Sequence, residues 1–254
     1  MKKFLLVIAV IVALLGAGVA YVYVNIDSFI KTLIENIGSQ TLGTSVTLDR
    51  LNLDLMQKSG AVSGLKIANP AGFSNDNMLH ISSIETSLGD LKSDLITIRE
   101  LNVGDTRMLL EIANKTTNLQ TIMDNLPKGG DAQTQTQTPD IIIETVRIGQ
   151  TTLEPKIQQI SNDIGSITVP GFTLNNIGTA ENGVTPSEAI RQILKPYLAR
   201  IQKQGVQGQL MKKLPGDVTD IKQKLGAEAG DIKNKIESGA KDKLKGTFDK
   251  LIGE

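Results

Sequence analysis

The sequence predicts an α+β fold: an N-terminal transmembrane helix, a short helix, a curved antiparallel β-sheet forming a groove, and C-terminal helices. Three observations predict it. An uncharged apolar run, Phe4 to Val24, follows Lys2 and Lys3. From Thr44 to Ile177 apolar residues recur at alternate positions, the strand period, with Gly, Pro and Asn between the runs. From Thr185 onward the spacing changes to three and four, the helix period. The chain divides accordingly into an anchor (1–24), a β-rich domain (25–184), a helical segment (185–214) and an amphipathic helical tail (215–254).

A helix over Phe4–Val24 spans roughly 31 Å at about 1.5 Å per residue, enough to cross a bilayer core. Lys2 and Lys3 hold its start on the cytoplasmic side and place the remaining chain across the membrane. Tyr21 and Tyr23 fall where an aromatic belt belongs. The competing reading is a cleaved signal peptide, with Phe4–Leu15 as its apolar region and Gly18-Val19-Ala20 as the cut. Apolar sequence continuing to Ile26 favours the uncleaved anchor, and both readings export the rest of the chain.

Residues 25–43 follow as an amphipathic helix, with Ile26, Phe29, Ile30, Leu33, Ile34 and Ile37 on one side. Asn25 or Asp27 is placed to cap it, and Gly38 and Gly43 to stop it. Strand alternation then runs through Val46 and Leu48, and slips phase at Asp49-Arg50 to Leu51, Leu53 and Leu55. It continues through Leu65 and Ile67, then Leu79 and Ile81, and slips again before Ile84 and Leu88. A third slip separates Ile96 and Ile98 from Leu101 and Val103, and Met108, Leu110 and Ile112 close the series. Such slips predict bulges and a strongly curved sheet with one apolar face.

Asn118–Leu126 reads as a helical turn or two, and 128–139 as a disordered, low-complexity loop of Gly, Gln and Thr. Strands resume through Ile141–Ile143, Val146, Ile148 and Leu153, then Ile164, Ile167, Val169, Phe172, Leu174 and Ile177. Thr185-Pro186-Ser187-Glu188 carries a cap, a first-turn proline and a capping-box acid. Pro196 is placed to kink the helix that follows, and Gly205 and Gly208 to loosen its continuation. In the tail, Asp220-Ile221-Lys222-Gln223-Lys224-Leu225 recurs as Asp231-Ile232-Lys233-Asn234-Lys235-Ile236. Its eleven-residue period suits a nearly straight helix, marginal by itself because of its glycines and firmer against a surface.

The inventory of chemistry is short. The 254 residues carry 27 basic and 27 acidic side chains, so no basic stripe announces a nucleic-acid partner. With no Cys and one His, disulfides, thiolate catalysis and Cys/His zinc sites are excluded. His80 lies between Leu79 and Ile81 and so points to the polar face of its strand, with no converging catalytic partners. No phosphate loop, nucleophile elbow, cofactor site or metal site is read, and the chain is not expected to be an enzyme.

What remains is physical: an exported, curved sheet with an aliphatic face. Either the helices close a normal core over it, or it stays open as a groove for acyl chains. The residues predicted to line such a groove are Val46, Leu48, Leu65, Ile67, Ile81, Ile98, Leu101 and Ile143.

The stretch from Asn25 to about Leu194 resembles the AsmA-like proteins of double-membraned bacteria. The likeness begins with the Lys-flanked anchor and the helix at Ile30–Ile37. It continues in Gly43-Thr44-Ser45-Val46-Thr47-Leu48-Asp49-Arg50-Leu51 and in Ser63-Gly64-Leu65-Lys66-Ile67-Ala68-Asn69-Pro70-Ala71-Gly72-Phe73. Ile81-Ser82-Ser83-Ile84-Glu85, Ile98-Arg99-Glu100-Leu101-Asn102-Val103, Asn118-Leu119-Gln120 and Ile177-Gly178 extend it. The resemblance implies a single-pass bacterial inner-membrane protein, mostly periplasmic, with a β-groove related to chorein-type bridges. It further implies phospholipid and envelope proteins as partners, and a role in lipid traffic and outer-membrane biogenesis. It supplies no catalytic positions. This chain is shorter than the long members, and its strands make only the start of such a groove.

Overall fold

The computed structural model describes residues 26–92, 94–113, 116–126, 139–157, 164–178, 183–214, 223, 225–227 and 230. The anchor expected over 1–24, the low-complexity loop except for Pro139, and most of the tail lie outside them. Among the described residues no helix is long and apolar enough to cross a membrane.

Helix α1 occupies 26–42 and ends at Gly43, whose positive φ (64°) suits glycine. Gly38, expected to stop it, lies inside it. There the missing side chain leaves room for Val46, whose atoms come within 3.2–3.3 Å of where a Cβ would stand. Eleven strands follow among the described residues, all in one sheet. They are β1 (Val46–Thr47), β2 (Arg50–Asp54), β3 (Ser59–Ala68), β4 (Asn77–Leu91), β5 (Leu95–Val103), β6 (Thr106–Ala113), β7 (Thr116–Thr117), β8 (Asp140–Ile148), β9 (Thr151–Ile157), β10 (Ile167–Val169) and β11 (Phe172–Ile177). Helix α2 (Asn118–Asn125) starts at Thr117, whose side chain caps Gln120 N–H. Helix α3 (Pro186–Arg200) starts as its signature predicts, with the Thr185 side chain accepting from Glu188 N–H.

The sheet is mixed, not purely antiparallel. β8 runs parallel to β5 and β9 parallel to β6, while the remaining pairs are antiparallel. The cause is the long connection between β6 and β8, which contains α2 and carries the chain back to the other end of the sheet. Tight hairpins make antiparallel neighbours, and only such a crossover makes parallel ones.

A single crease crosses every long strand. β1 and β2 are separated at Leu48-Asp49, β5 and β6 at Gly104-Asp105, β8 and β9 at Gly149-Gln150, and β10 and β11 at Pro170-Gly171. Register is preserved across these breaks: Ile81 opposes Thr106 and Ile84 opposes Val103, while Val103 opposes Ile148 and Thr106 opposes Thr151. The breaks therefore line up from Asp49 through Gly64 and Ser82-Ser83 to Gly171. Backbone hydrogen bonds run along the line, including Gly104 N–H to Ser83 O (2.9 Å) and Gly149 N–H to Val103 O (2.8 Å). At the line each strand changes which alternate residues face the core: Val146 and Ile148 before it, Thr151 and Leu153 after it. Because all strands switch together, the apolar set stays on one face of a sheet that curls.

Glycine is required where the strands meet at the crease. A Cβ on Gly171 would lie 2.4 Å from Ile148 O, and one on Gly149 3.0 Å from the Gly104 carbonyl carbon. A second, shorter switch separates Ile98 from Leu101, Ile143 from Val146 and Leu174 from Ile177, all of which belong to or pack on the same core. Asn176 takes a positive φ (59°) there.

Helices cover much of the apolar face and both outer margins. Along the β1–β2 margin, α1 side chains accept the edge N–H groups. Ser39 Oγ takes Val46 (2.9 Å), Glu35 Oε1 takes Leu48 (2.7 Å) and Asp27 Oδ1 takes Leu53 (3.1 Å). This blocks a sheet edge that would otherwise offer free pairing groups. α3 runs through Pro196 and continues as a π-helical segment, Ile201–Leu210, and a last turn, Met211–Lys213. Gly205 fits against Leu153 and Val169, within 3.0–3.1 Å of a would-be Cβ, so here glycine permits close packing and does not loosen the segment. Gln209 Nε2 donates to Thr168 O (2.8 Å) and Lys213 Nζ to Ser166 O (3.1 Å), covering β10.

Candidate functional site

The crease divides the sheet into two halves. The far half holds β1, the ends of β3 and β4 near Ile67 and Leu79, and β6, β9 and β10. The hairpin half holds β2, the other ends of β3 and β4, and β5, β8 and β11, and it includes the β2–β3 and β4–β5 turns.

The far half is closed. Met108, Leu110, Leu119, Leu153, Val206 and Leu210 are fully buried where α2 and the π-helical segment cover the sheet. A cavity of about 10 Å³ lies among Leu42, Ile67, Leu79, Met108, Ile122 and Leu198. That is about the room one water needs, not a hydrocarbon chain. Tail residue Leu225 is buried in the same core, and its carbonyl accepts from Gln202 Nε2 (3.2 Å).

The hairpin half is only partly covered. Every residue of β5 except exposed Arg99 is half-buried, including Ile96, Ile98, Leu101 and Val103. Leu53, Val62, Ile84, Phe172 and Leu174 share that intermediate exposure. The eight residues predicted as groove lining differ in exposure, and the difference does not follow the crease: Leu65 and Ile81 lie on its far side and Ile143 in the hairpin half. Val46, Leu48, Ile67 and Ile143 are buried. Leu65, Ile81, Ile98 and Leu101 are half-buried and pack against the core margin. Leu65 and Ile81 are cross-strand partners, Ile98 stands beside Leu88 and Ile143, and Leu101 beside Val146. With Ile84 and Val103, cross-strand partners that lie between the two pairs, they make an apolar strip that crosses the crease into the hairpin half.

Thr86 and Thr106 are cross-strand partners of Leu101 and Ile81, and the sheet's charged pairs lie on the other face. On the opposite face His80 lies between Lys66 and Arg107 in register, with Lys66 bonded to Asp49 (2.7 Å) and Arg107 to Glu154 (3.1 Å). Arg147 pairs with Glu100 on the same face. Among the described residues no group of His, Cys, Asp or Glu is arranged to hold a metal ion.

Two buried polar arrangements escape a reading of the sequence. Glu111 sits among the alternating Met108, Leu110 and Ile112 at an outward position, yet it is 1% exposed. Its carboxylate accepts from Asn69 Nδ2 (3.1 Å), Ser74 N–H (3.2 Å) and Ser74 Oγ (2.5 Å). Asn118 completes the knot, donating to Asn69 Oδ1 and Leu109 O and accepting from Glu111 N–H. The knot pins the Asn69–Asp76 turn to β6. Beside it, Asp76 is held below the usual carboxylate range by its bond to Lys156 (2.9 Å), with Ser74 adding to the effect. The only available signal was the turn cluster Asn69-Pro70-Ala71-Gly72, with nothing to link it to Glu111.

The second is aromatic. Phe172 stacks on Tyr197 (6.4 Å between centroids), and the Arg200 guanidinium lies 4.8 Å from the Phe172 ring centre. Tyr197 and Thr151 share a buried hydrogen bond of 3.1 Å, and burial pushes the phenol up to about 12. On α3, Glu188 takes Arg191 and Gln192, an arrangement that orders the helix face. None of these groups converges on an accessible cleft with the others.

No protein-family model, curated protein or solved structure matches the chain.

Proposed function

We propose that the chain is an inner-membrane-anchored, periplasmic, AsmA-like protein that holds lipid acyl chains on its apolar sheet face. In this reading it supports envelope and outer-membrane biogenesis or lipid traffic. The observation that carries the reading is the half-buried set of Leu65 and Ile81, just past the crease, and Ile98 and Leu101 in the hairpin half, beside a core that the helices have closed. An acyl chain needs aliphatic contact and no catalytic group, which suits a face built from Leu, Ile and Val. The bound chain would extend along the hairpin half and just past the crease, as far as the core filled by Met108, Leu153 and Val206. No reaction, cofactor or nucleic-acid partner enters this reading.

The test is native mass spectrometry of the full chain released from detergent, with lipid extraction from the same sample. Bound phospholipid is expected, reduced by Leu101→Asp or Leu65→Asp in variants that keep wild-type circular dichroism. A folded wild-type chain carrying no lipid would overturn the reading.

A second reading is favoured by the burial of Leu225 against the π-helical segment. There the core is fully covered, and the chain works as an envelope scaffold or assembly factor whose helical tail meets protein partners. Deleting 217–254 should then abolish function while Leu65→Asp leaves it intact.

A further inference from the structure

Among the described residues three large hydrophobic side chains stand exposed: Phe29 (66%), Met56 (88%) and Leu91 (45%). They are far apart in sequence but stand at one end of the sheet. Asp27 Oδ1 accepts from Leu53 N–H (3.1 Å), which sets the first turn of α1, with Phe29, at the end of β2. Met56 lies in the turn that follows β2. Leu88 N–H donates to Lys58 O (2.7 Å), which sets that turn against the last residues of β4, where Leu91 ends the strand. All three therefore crown the hairpin end of the sheet. The opposite end carries the Asn69–Asp76 turn, with Ala71 and Gly72 exposed.

The hairpin end receives the chain from the apolar run Phe4–Val24, because Ile26 begins α1 two residues after that run stops. Exposed apolar side chains on one rim mark a surface that meets something apolar. Here the covalent continuity with a bilayer-length run selects the occupant. We infer that the rim formed by Phe29, Met56 and Leu91 seats in the lipid surface from which the chain emerges, standing the sheet on the membrane by its hairpin end.

The rim also carries Lys58 and Lys92 next to Asp54, Asp90 and Asp94. With both signs present, apolar insertion and not attraction to anionic headgroups holds the contact, so neutral lipid suffices. The seating also brings the half-buried strip of β5 to the bilayer side of the crease, where an acyl chain has the shortest path onto it. The inference rests on the proposed anchoring by residues 4–24.

The experiment uses the full chain in phosphatidylcholine vesicles. The sequence has no cysteine, so Phe29→Cys, Met56→Cys, Leu91→Cys and the far-end control Ala71→Cys each take one environment-sensitive fluorophore. The quencher is phosphatidylcholine brominated in its acyl chains, and alkaline carbonate extraction of the same vesicles reports anchoring. The expected result is that labels at 29, 56 and 91 lose emission to the brominated lipid at low and high salt, while the label at 71 keeps it. A chain that resists carbonate but whose labels at 56 and 91 behave like that at 71 overturns the seated rim and leaves the anchor standing. A chain released by carbonate with all labels unquenched overturns both.

Discussion

Replacing Gly171 by alanine should destabilise the fold by spreading the crease. The added Cβ would lie 2.4 Å from Ile148 O and 3.1–3.2 Å from the Gly149 carbonyl group, where ordinary contact begins at 3.4 Å. The neighbouring atoms are backbone, so no side chain can rotate away, and the strands must separate by about 1 Å. Overpacking of this kind costs about 1–3 kcal/mol, and the rigid neighbours place this case at the upper end. With a urea slope of about 2 kcal/mol per molar, the unfolding midpoint should fall by about 1 M or more. Gly208→Ala is the control, because its nearest neighbour is 3.4 Å away in a helical segment that tolerates alanine. Its midpoint should hold or rise. Strand β8–β9 relieves the first clash by moving towards β5–β6, and Gly149→Ala blocks that movement with a Cβ 3.0 Å from Gly104. The double variant should therefore lose more than the sum of the singles, by about 0.5–1 kcal/mol. A wild-type midpoint for Gly171→Ala in urea titrations followed by circular dichroism would refute the packed crease.

Two further outcomes follow from buried groups. Glu111→Gln should cost about 1–3 kcal/mol, because Asn69 Nδ2, Ser74 N–H and Ser74 Oγ converge on Oε2 and would meet a neutral acceptor, while the amide NH2 would face Ser74 N–H where Oε1 now accepts it; a change under about 0.5 kcal/mol, within the range of an ordinary surface substitution, would deny the knot its role. Tyr197 keeps its proton up to about 12 in the folded chain against 10.0 in the unfolded one, so its contribution is complete below pH 10 and is lost as pH rises through 12. Difference absorbance between the wild type and Tyr197→Phe should show that phenolate appearing near 12, and its appearance near 10 with the fold intact would contradict the burial.

Much of the fold is legible in the sequence because its signals are local. The α3 start depends on four adjacent residues, and Thr185 caps it as those residues predict. The phase slip at Asp49-Arg50 falls where β1 and β2 separate, and the slip between Ile98 and Leu101 falls where β5 changes face. Strand direction is not local. Alternation is identical for parallel and antiparallel strands, so the parallel pairing of β5 with β8 had no signal apart from the long connection between β6 and β8. Gly38 and Gly205 read as interruptions because glycine weakens a helix by itself, whereas tertiary contact with Val46 and with Leu153 uses the space that glycine leaves. For the candidate site, sequence alternation identified the apolar face but not its covering. Val46, Ile67 and Ile143 lie buried, while Leu65 and Leu101 remain at the margin, because long-range helix docking decides exposure.

The crease connects sheet shape to that division of exposure. A strand that shifts phase alone would send half of its apolar residues to solvent, a penalty of about 1.5–3 kcal/mol for each large side chain. Matched shifts at Asp49, Gly64, Gly104, Gly149 and Gly171 avoid this, since neighbouring strands turn together and register is kept. The curl that results gives α2 and the π-helical segment a concave far half to fill, as the complete burial of Met108, Leu153 and Val206 records. It also sets β5, in the other half, outside the reach of that cover. Straightening the crease would expose the far core and the strip alike, whereas truncating the strip alone should leave the far core intact. The lipid-contact role and the stability of the fold are therefore separable at the level of single residues: Leu101 probes the first, and Gly171 the second.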